Sequence, residues 1–574
     1  MSPTMPLAVR RALGAVARGE RPADLYLRGA SVLNVFTGEV LFANVAIAGE
    51  RIAYVGTRDE MVGPRTSVID VAGRVLVPGY IDPHVHPANL VTPSAFARHV
   101  LPLGTTTVVG DTLQFWQLGG ARAVRSVADA LSSSPLKFFW MLRVHGQARV
   151  RDEARGFPLK TLARTLAHPW VLAVGEVTRW PEAHRGDLEL LRRLDLAHAR
   201  GLRVEGHTAG ASDEKLPAIA LAGLTSDHEP ITAKEVLERA RQGIAVMLRE
   251  SSLRPDLSGL LDALKDAPAL ASRLMLTADG SMPAFIRAHG FVDNLVRLAM
   301  AGGVAPVDAY RMATLNAATY YALDAHIGAI APGRFADVCV LADLAEPRPV
   351  MVIARGRVAG VDGQLTTRVP EPPWRRIFTS AAARLAGRWQ ATPDDFTLPR
   401  RARYPVIRFV SAVISRLDER PLAPGDLHAA LLDRAGRWVA PGVVSGFADR
   451  VDGLAATTTT DFNILAVGRN PAAMARAVNH LKRRGGGIVL VDGDRIAYEL
   501  PLPIGGIMAR GSLNEVADLE EGLHAALVAR GYAHHAPVFS LFFLAADFLP
   551  AVRLSPLGVW DVKRGRVLLP SRRR

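Results

Sequence analysis

The sequence predicts an α/β chain built around a (β/α)₈ barrel, with short-stranded segments on both flanks and an α+β region after it. Three observations carry this reading. Eight strand-like apolar runs alternate with helix-like segments over about 250 residues, the pattern of a closed parallel barrel. Ionisable side chains gather at the C-terminal ends of those runs, where such barrels keep their chemistry. A proline-rich stretch, Val369-Pro370-Glu371-Pro372-Pro373-Trp374, then resets the pattern.

Taken in order, residues 22–75 alternate apolar and polar positions between Gly and Asn punctuation, and read as short strands. A similar patch, 328–344 followed by 350–360, returns after the middle of the chain. Residues 1–74 and 326–368 are therefore expected to form one flanking unit, 75–325 the barrel and 369–574 a C-terminal unit. The expected barrel strands are 75–82, 104–111, 137–144, 171–177, 202–208, 223–229, 244–250 and 274–280, with helices such as 187–201 and 233–243 between them. In the C-terminal unit, 461–468, 485–503 and 536–545 read as strands, and 470–484 and 513–531 as helices. Gly485–Gly487 lacks the spacing of a phosphate-binding loop and reads as a turn.

Composition narrows the function classes. A chain of 574 residues, 49% hydrophobic and 22% charged, has core enough for two or three globular domains. Its one cysteine, Cys339, excludes a disulfide framework and a cysteine-rich zinc site, and suits a reducing cytoplasm. No signal-peptide apolar run opens the sequence, and no run approaches the ~20 residues of a membrane span. The net charge of +14 is dispersed and lacks interleaved aromatics, so it reads as solvated surface rather than a nucleic-acid interface.

The most informative stretch is Val77-Pro78-Gly79-Tyr80-Ile81-Asp82-Pro83-His84-Val85-His86-Pro87. On an extended chain, side chains at i and i+2 share a face, so His84 and His86 can offer two imidazoles to one metal ion. Later strands end in Val174-Gly175-Glu176-Val177, Val204-Glu205-Gly206-His207, Ser226-Asp227-His228-Glu229 and Leu276-Thr277-Ala278-Asp279-Gly280. Any one of these is more often a structural histidine or a turn carboxylate. Together, four imidazoles and two carboxylates at one barrel mouth make a donor set for two divalent ions.

This order resembles the amidohydrolase superfamily, and PGYIDPHVHP, VLPLGTTTVVGD, EGHTAG, SDHE, VMLRESS and GAIAPGRFADVCVL resemble the bacterial adenine deaminases within it. The resemblance extends to AVNHLKRRGGGIVLVDGDRIAYELPLPIGGIM in the C-terminal unit. It implies a metal-dependent barrel, a small flanking β-sandwich and an α+β C-terminal domain. It further implies that His84 and His86 hold one ion, that Glu176 bridges two where many relatives use a carbamylated lysine, and that His207 and His228 hold the second. Asp279 would sit over the first ion and carry protons, and Glu229 is a candidate proton donor to a ring nitrogen. Glu229 adjoins His228, however, and neighbouring strand residues point to opposite faces. The implied cofactors are Mn²⁺ or Fe²⁺, with Zn²⁺ as a variant. The implied partner is a small purine, and the implied assembly a cytoplasmic homo-oligomer.

Three departures mark the chain. The family's Asp-Pro-His-Glu after strand two is here Asp111-Thr112-Leu113-Gln114. Its paired acids around strand eight are here Ala278-Asp279-Gly280-Ser281, with one acid. Its His-Asp-Ser-His segment is here Thr459-Thr460-Asp461-Phe462. Leu113, Phe115, Trp116 and Phe462 suggest a more apolar site, and hence a divergent paralogue acting on another 6-substituted purine. Cyclic amide hydrolysis is a further alternative, weakened by Glu176 standing where such enzymes carry a lysine. An inactive scaffold is disfavoured by six intact ligands, and a Cys-x-x-Cys zinc deaminase by the single cysteine.

Overall fold

A computed structural model describes residues 5–381 and 383–574. Its centre is one eight-stranded sheet, in sequence order: Tyr80–Val85, Thr105–Asp111, Lys137–Leu142, Val171–Val177, Arg203–Gly206, Ser226–Asp227, Ala245–Arg249 and Met275–Thr277. All neighbouring pairs are parallel. A parallel bridge between Val85 and Asp279 brings the last strand back to the first. The buried Asp82 carboxylate ties the same seam, accepting from Thr277 Oγ1 at 2.8 Å and Ala278 N at 3.0 Å.

Seven of the eight expected barrel strands lie where the sequence pattern put them, several of them shorter. The first differs in kind. The expected run 75–82 is cut at Gly79, whose N–H donates to Asp337 O at 2.9 Å. Val75–Pro78 joins the flanking sheet, and only Tyr80–Val85 enters the barrel. A Cβ at Gly79 would come within 2.3 Å of Thr106 Oγ1, so the chain can pass between the two sheets only without a side chain.

The two flanks meet in one nine-stranded sheet, with Val75–Pro78 pairing antiparallel to Val338–Leu341. It encloses its own apolar cluster, including Leu27, Val45, Ile52, Val338 and Ile353. In the C-terminal region, a second nine-stranded sheet carries helix Pro471–Arg484 on one face, through Ala473, Met474, Ala477, Val478 and Leu481. Asn470 caps that helix at its start, and Gly485 ends it in the left-handed conformation, which accounts for the glycine turn. No described helix is long and apolar enough to cross a membrane.

One C-terminal expectation is overturned. Residues 536–545 were expected as a strand, yet Pro537–Phe543 is a helix. Proline suits a first helical turn, and a short run that is apolar on every side has no periodicity to separate buried helix from strand. The position of this helix matters for the site below.

The C-terminal region docks on the barrel through helix Leu513–Val528, opened by a Ser512/Glu515 capping box. Its Glu520 accepts from Ala284 N at 3.0 Å. Burial is the main cause that raises the Glu520 carboxyl from its ordinary range to about 7. A raised folded-state pKa means the proton favours the fold. That contribution is complete below the unfolded value and is lost as pH climbs through about 7. Glu520→Gln keeps an acceptor for Ala284 and should stabilise the protein at pH 8 by up to about 3 kcal/mol while changing little at pH 4.5. Thermal unfolding at the two pH values reads the difference; equal shifts at both would contradict it.

Candidate metal centre and active site

The strand ends deliver their side chains to one point. His84 and His86 lie with ring centroids 5.2 Å apart, and their Nε2 atoms are 3.4 and 3.3 Å from Asp279 Oδ1. The i, i+2 spacing thus does what an extended chain dictates. Across the mouth, Glu176 Oε1 faces His207 Nδ1 and lies 3.4 Å from His228 Nε2. His207 Nδ1 and His228 Nε2 are 3.3 Å apart. His84 stacks on His228 at 4.0 Å, joining the two halves. Four groups of donor atoms are close enough for a shared ion: His84 with His86 and Asp279; His84 with Glu176 and His228; His207 with His228 and Glu229; and His86 with Asp111 and Glu176.

Glu229 falls inside the cluster, against the expectation that alternation would turn it away. The strand stops at Asp227, whose carboxylate is taken by Arg239, Thr208 and the Glu229 amide. Beyond it the chain is no longer extended, so His228 and Glu229 both reach the mouth. Glu229 Oε1 pairs with Arg249 and lies 3.5 Å from His207 Nδ1.

Four charged neighbours were not assigned from sequence. Glu205 accepts from His84 Nδ1 at 2.8 Å and so turns Nε2 toward the cluster. Arg143 holds Asp111 through Nε and Nη2, both at 2.8 Å, and reaches the Glu176 carboxylate and its backbone oxygen. Arg249 links Glu229 to Asp279 Oδ2, the latter at 3.5 Å. Asp111 Oδ2 is 3.2 Å from His86 Nδ1. The available signal was a charged residue interrupting an apolar strand near its C-terminal end, as in Met141-Leu142-Arg143 and Met247-Leu248-Arg249.

These pairings fix the charges. Burial alone would raise Glu176, but Arg143 and His207 outweigh it and hold the carboxyl well below its usual range. Burial likewise opposes ionisation of Asp279 and Glu229. The His84 and His86 imidazoles facing it overcome it for Asp279, and Arg249 does so for Glu229. For His86, burial lowers the imidazole, yet Asp111 and Asp279 raise it to about 9. An imidazole so surrounded by carboxylates sits where a cation is favoured.

Above this floor lies a cavity of about 270 Å³. Leu113, Gln114 and Gly280 form part of its wall, so two of the three departures border the site. Phe462 lines an adjoining small cavity with Gln114 and Phe542. Phe115 and Trp116 do not line either one. Phe115 packs against Trp140 and Trp374, while Trp116 stacks on Phe157 and donates to Gly156 O. Thr459 and Ser281 are engaged in local bonds to Asp461 and Ala278. The roof comes from the C-terminal region: Val413, Ile414, Phe542, Phe543, Phe548 and Leu549.

Comparison with known proteins agrees with this architecture. The profile described as "Amidohydrolase family" matches residues 75–361, and "Adenine deaminase C-terminal domain" matches 416–566. A protein of Halalkalibacterium halodurans named "Putative adenine deaminase" is 36% identical over 570 residues, covering 97% of each chain. The "Adenine deaminase" of Moorella thermoacetica is 33% identical over 588 residues, covering 98% of this chain and 98% of its own.

Proposed function

Because the chain belongs to the amidohydrolase family and, within it, to the adenine deaminases, we propose that it hydrolyses the 6-amino group of adenine, giving hypoxanthine and ammonia. The observation that carries this reading is the convergence of His84, His86, Glu176, His207, His228 and Asp279 at the floor of a cavity roofed by aromatic rings. Four imidazoles and ionised carboxylates fit divalent ions, and the Nε2 atom of His84, buried without a hydrogen-bond partner among the described residues, points the same way. We take the ions to be Mn²⁺ or Fe²⁺, or alternatively Zn²⁺, since the donors are nitrogen and oxygen without sulfur. Bound there, such ions supply a water that ionises near neutral pH.

The side chains do the rest. His84 and His86 would hold one ion, His207 and His228 the other, with Glu176 between them. Asp279, kept ionised by its two imidazole neighbours, accepts the attacking water's proton and returns it to the leaving nitrogen, so that ammonia departs rather than amide ion. Glu229 is held ionised beside Arg249, so it would first take up the second proton of the attacking water and then pass it to the ring nitrogen next to C6. The aromatic roof gives the flat ring an apolar surface.

A second reading is favoured by Leu113, Gly280 and the phenylalanine roof: the same chemistry on a purine with a larger, apolar 6-substituent. Cyclic amide hydrolysis finds less support, because Glu176 occupies the lysine's place. The single buried Cys339 suits the cytoplasmic setting, and the resemblance suggests a homo-oligomer. Rates on adenine and on N6-alkyl purines separate the first two readings. For the metal assignment, Glu176→Gln should reduce the bound metal from two ions to one or none by elemental analysis. Full two-ion loading would argue against a bridge.

A further inference from the structure

The helix Pro537–Phe543 and the loop after it reach over the barrel mouth from the C-terminal region. Their links to that region include Ser540 Oγ to Ala412 O at 2.7 Å and Leu554 N to Leu544 O at 2.9 Å. Toward the barrel, the described polar links of residues 536–550 run through Asp547 alone. Its N–H donates to Gln147 O at 2.8 Å, and its Oδ2 accepts from Arg179 Nη2 at 3.1 Å and lies 3.3 Å from Arg149 Nε.

Arg179 follows the strand that carries Glu176, and Arg149 follows the strand that leads to Arg143. Glu153 pairs with Arg179 and Glu182 with Arg149, which fixes both guanidinium groups from behind. The Asp547 side chain is only 2% exposed. A carboxylate so buried is held by its two cations, and they in turn fix where the next residue points. That residue is Phe548. Its ring meets the His207 imidazole edge-on at 5.0 Å and Phe543 at 6.0 Å.

We propose that Asp547 is a latch: by binding Arg149 and Arg179 it seats the aromatic segment as the roof of the reaction pocket, with Phe548 braced against His207. Asp547 is a positioning residue, and the contact it secures is with the ring of the bound purine. The substrate part of this inference rests on the reading given under Proposed function; the latch itself does not.

Two readouts test it on the full-length, metal-loaded protein. Asp547→Ala should raise KM by at least about tenfold with kcat within about threefold. Metal content should be unchanged, and amide hydrogen exchange should be faster across 539–550. Asp547→Glu should recover part of the loss. Phe548→Leu leaves the ion pairs in place and should raise KM without faster exchange. KM within about twofold of the parent in both Asp547→Ala and Phe548→Leu would overturn the proposal. So would parental exchange in Asp547→Ala, or a variant that loses its metal and its fold together. Were the parent silent on every purine tried, the functional reading would fail, while exchange and metal content would still decide the latch.

Discussion

Asp279→Asn should lower kcat/KM by about 10³-fold, with the circular dichroism spectrum and thermal unfolding unchanged within error. The size follows from the two duties assigned to one carboxylate. Oδ1 faces the Nε2 atoms of both His84 and His86, while Oδ2 lies 3.5 Å from Arg249. An amide preserves the shape and can still accept a hydrogen bond, but it cannot take up the water's proton. Residue 279 also has φ of +47°, a conformation that Asp and Asn tolerate better than most side chains, so the exchange adds little backbone strain. Steady-state rates on the best purine, normalised to metal content, measure the effect. A rate near that of the parent would refute the role.

Arg143→Met should cost about 3–5 kcal/mol of stability in chelator-treated protein, because it strips the partner from two buried carboxylates at once. Asp111 and Glu176 are 1% and 4% exposed, and the guanidinium answers both, including two bonds of 2.8 Å to Asp111. Arg143→Lys should recover little of this, since an ammonium cannot copy a fork that grips two carboxylates and a backbone oxygen. Added divalent metal should restore part of the loss in Arg143→Met, by supplying positive charge to the same carboxylates. Urea unfolding with and without metal reads each step; an unchanged midpoint in chelator would contradict the argument.

Much of this was legible in the sequence, for identifiable reasons. Barrel strands are buried on both faces and so read as apolar runs, and the residues that end them are those a barrel exposes to its site. That logic picked out His84, His86, Glu176, His207, His228 and Asp279, whose donor atoms the structure gathers at one barrel mouth. It failed where tertiary context decides. Glu229 was doubted because alternation was carried past the point where the strand stops at Asp227. Arg143 and Arg249 went unassigned because a cation gives no sign of which carboxylate it will meet. Phe115 and Trp116 follow a site strand yet turn into the packing between helix and barrel, since aromatic residues fill cores as readily as pockets. The roof was missed outright. An apolar run such as Pro537-Val538-Phe539-Ser540-Leu541-Phe542-Phe543 carries no period that tells helix from strand, and nothing local says that it will cover a site built hundreds of residues earlier.

Hydrolysis at purine C6 is tested most directly by turnover in ¹⁸O-labelled water. Protein loaded anaerobically with Mn²⁺ or Fe²⁺ would be given adenine and, in parallel, N6-alkyl purines. Each turnover should release one equivalent of ammonia or amine and leave a hypoxanthine carrying a single ¹⁸O at C6. Absence of both products from every 6-amino and 6-alkylamino purine, with two ions bound per chain, would contradict it.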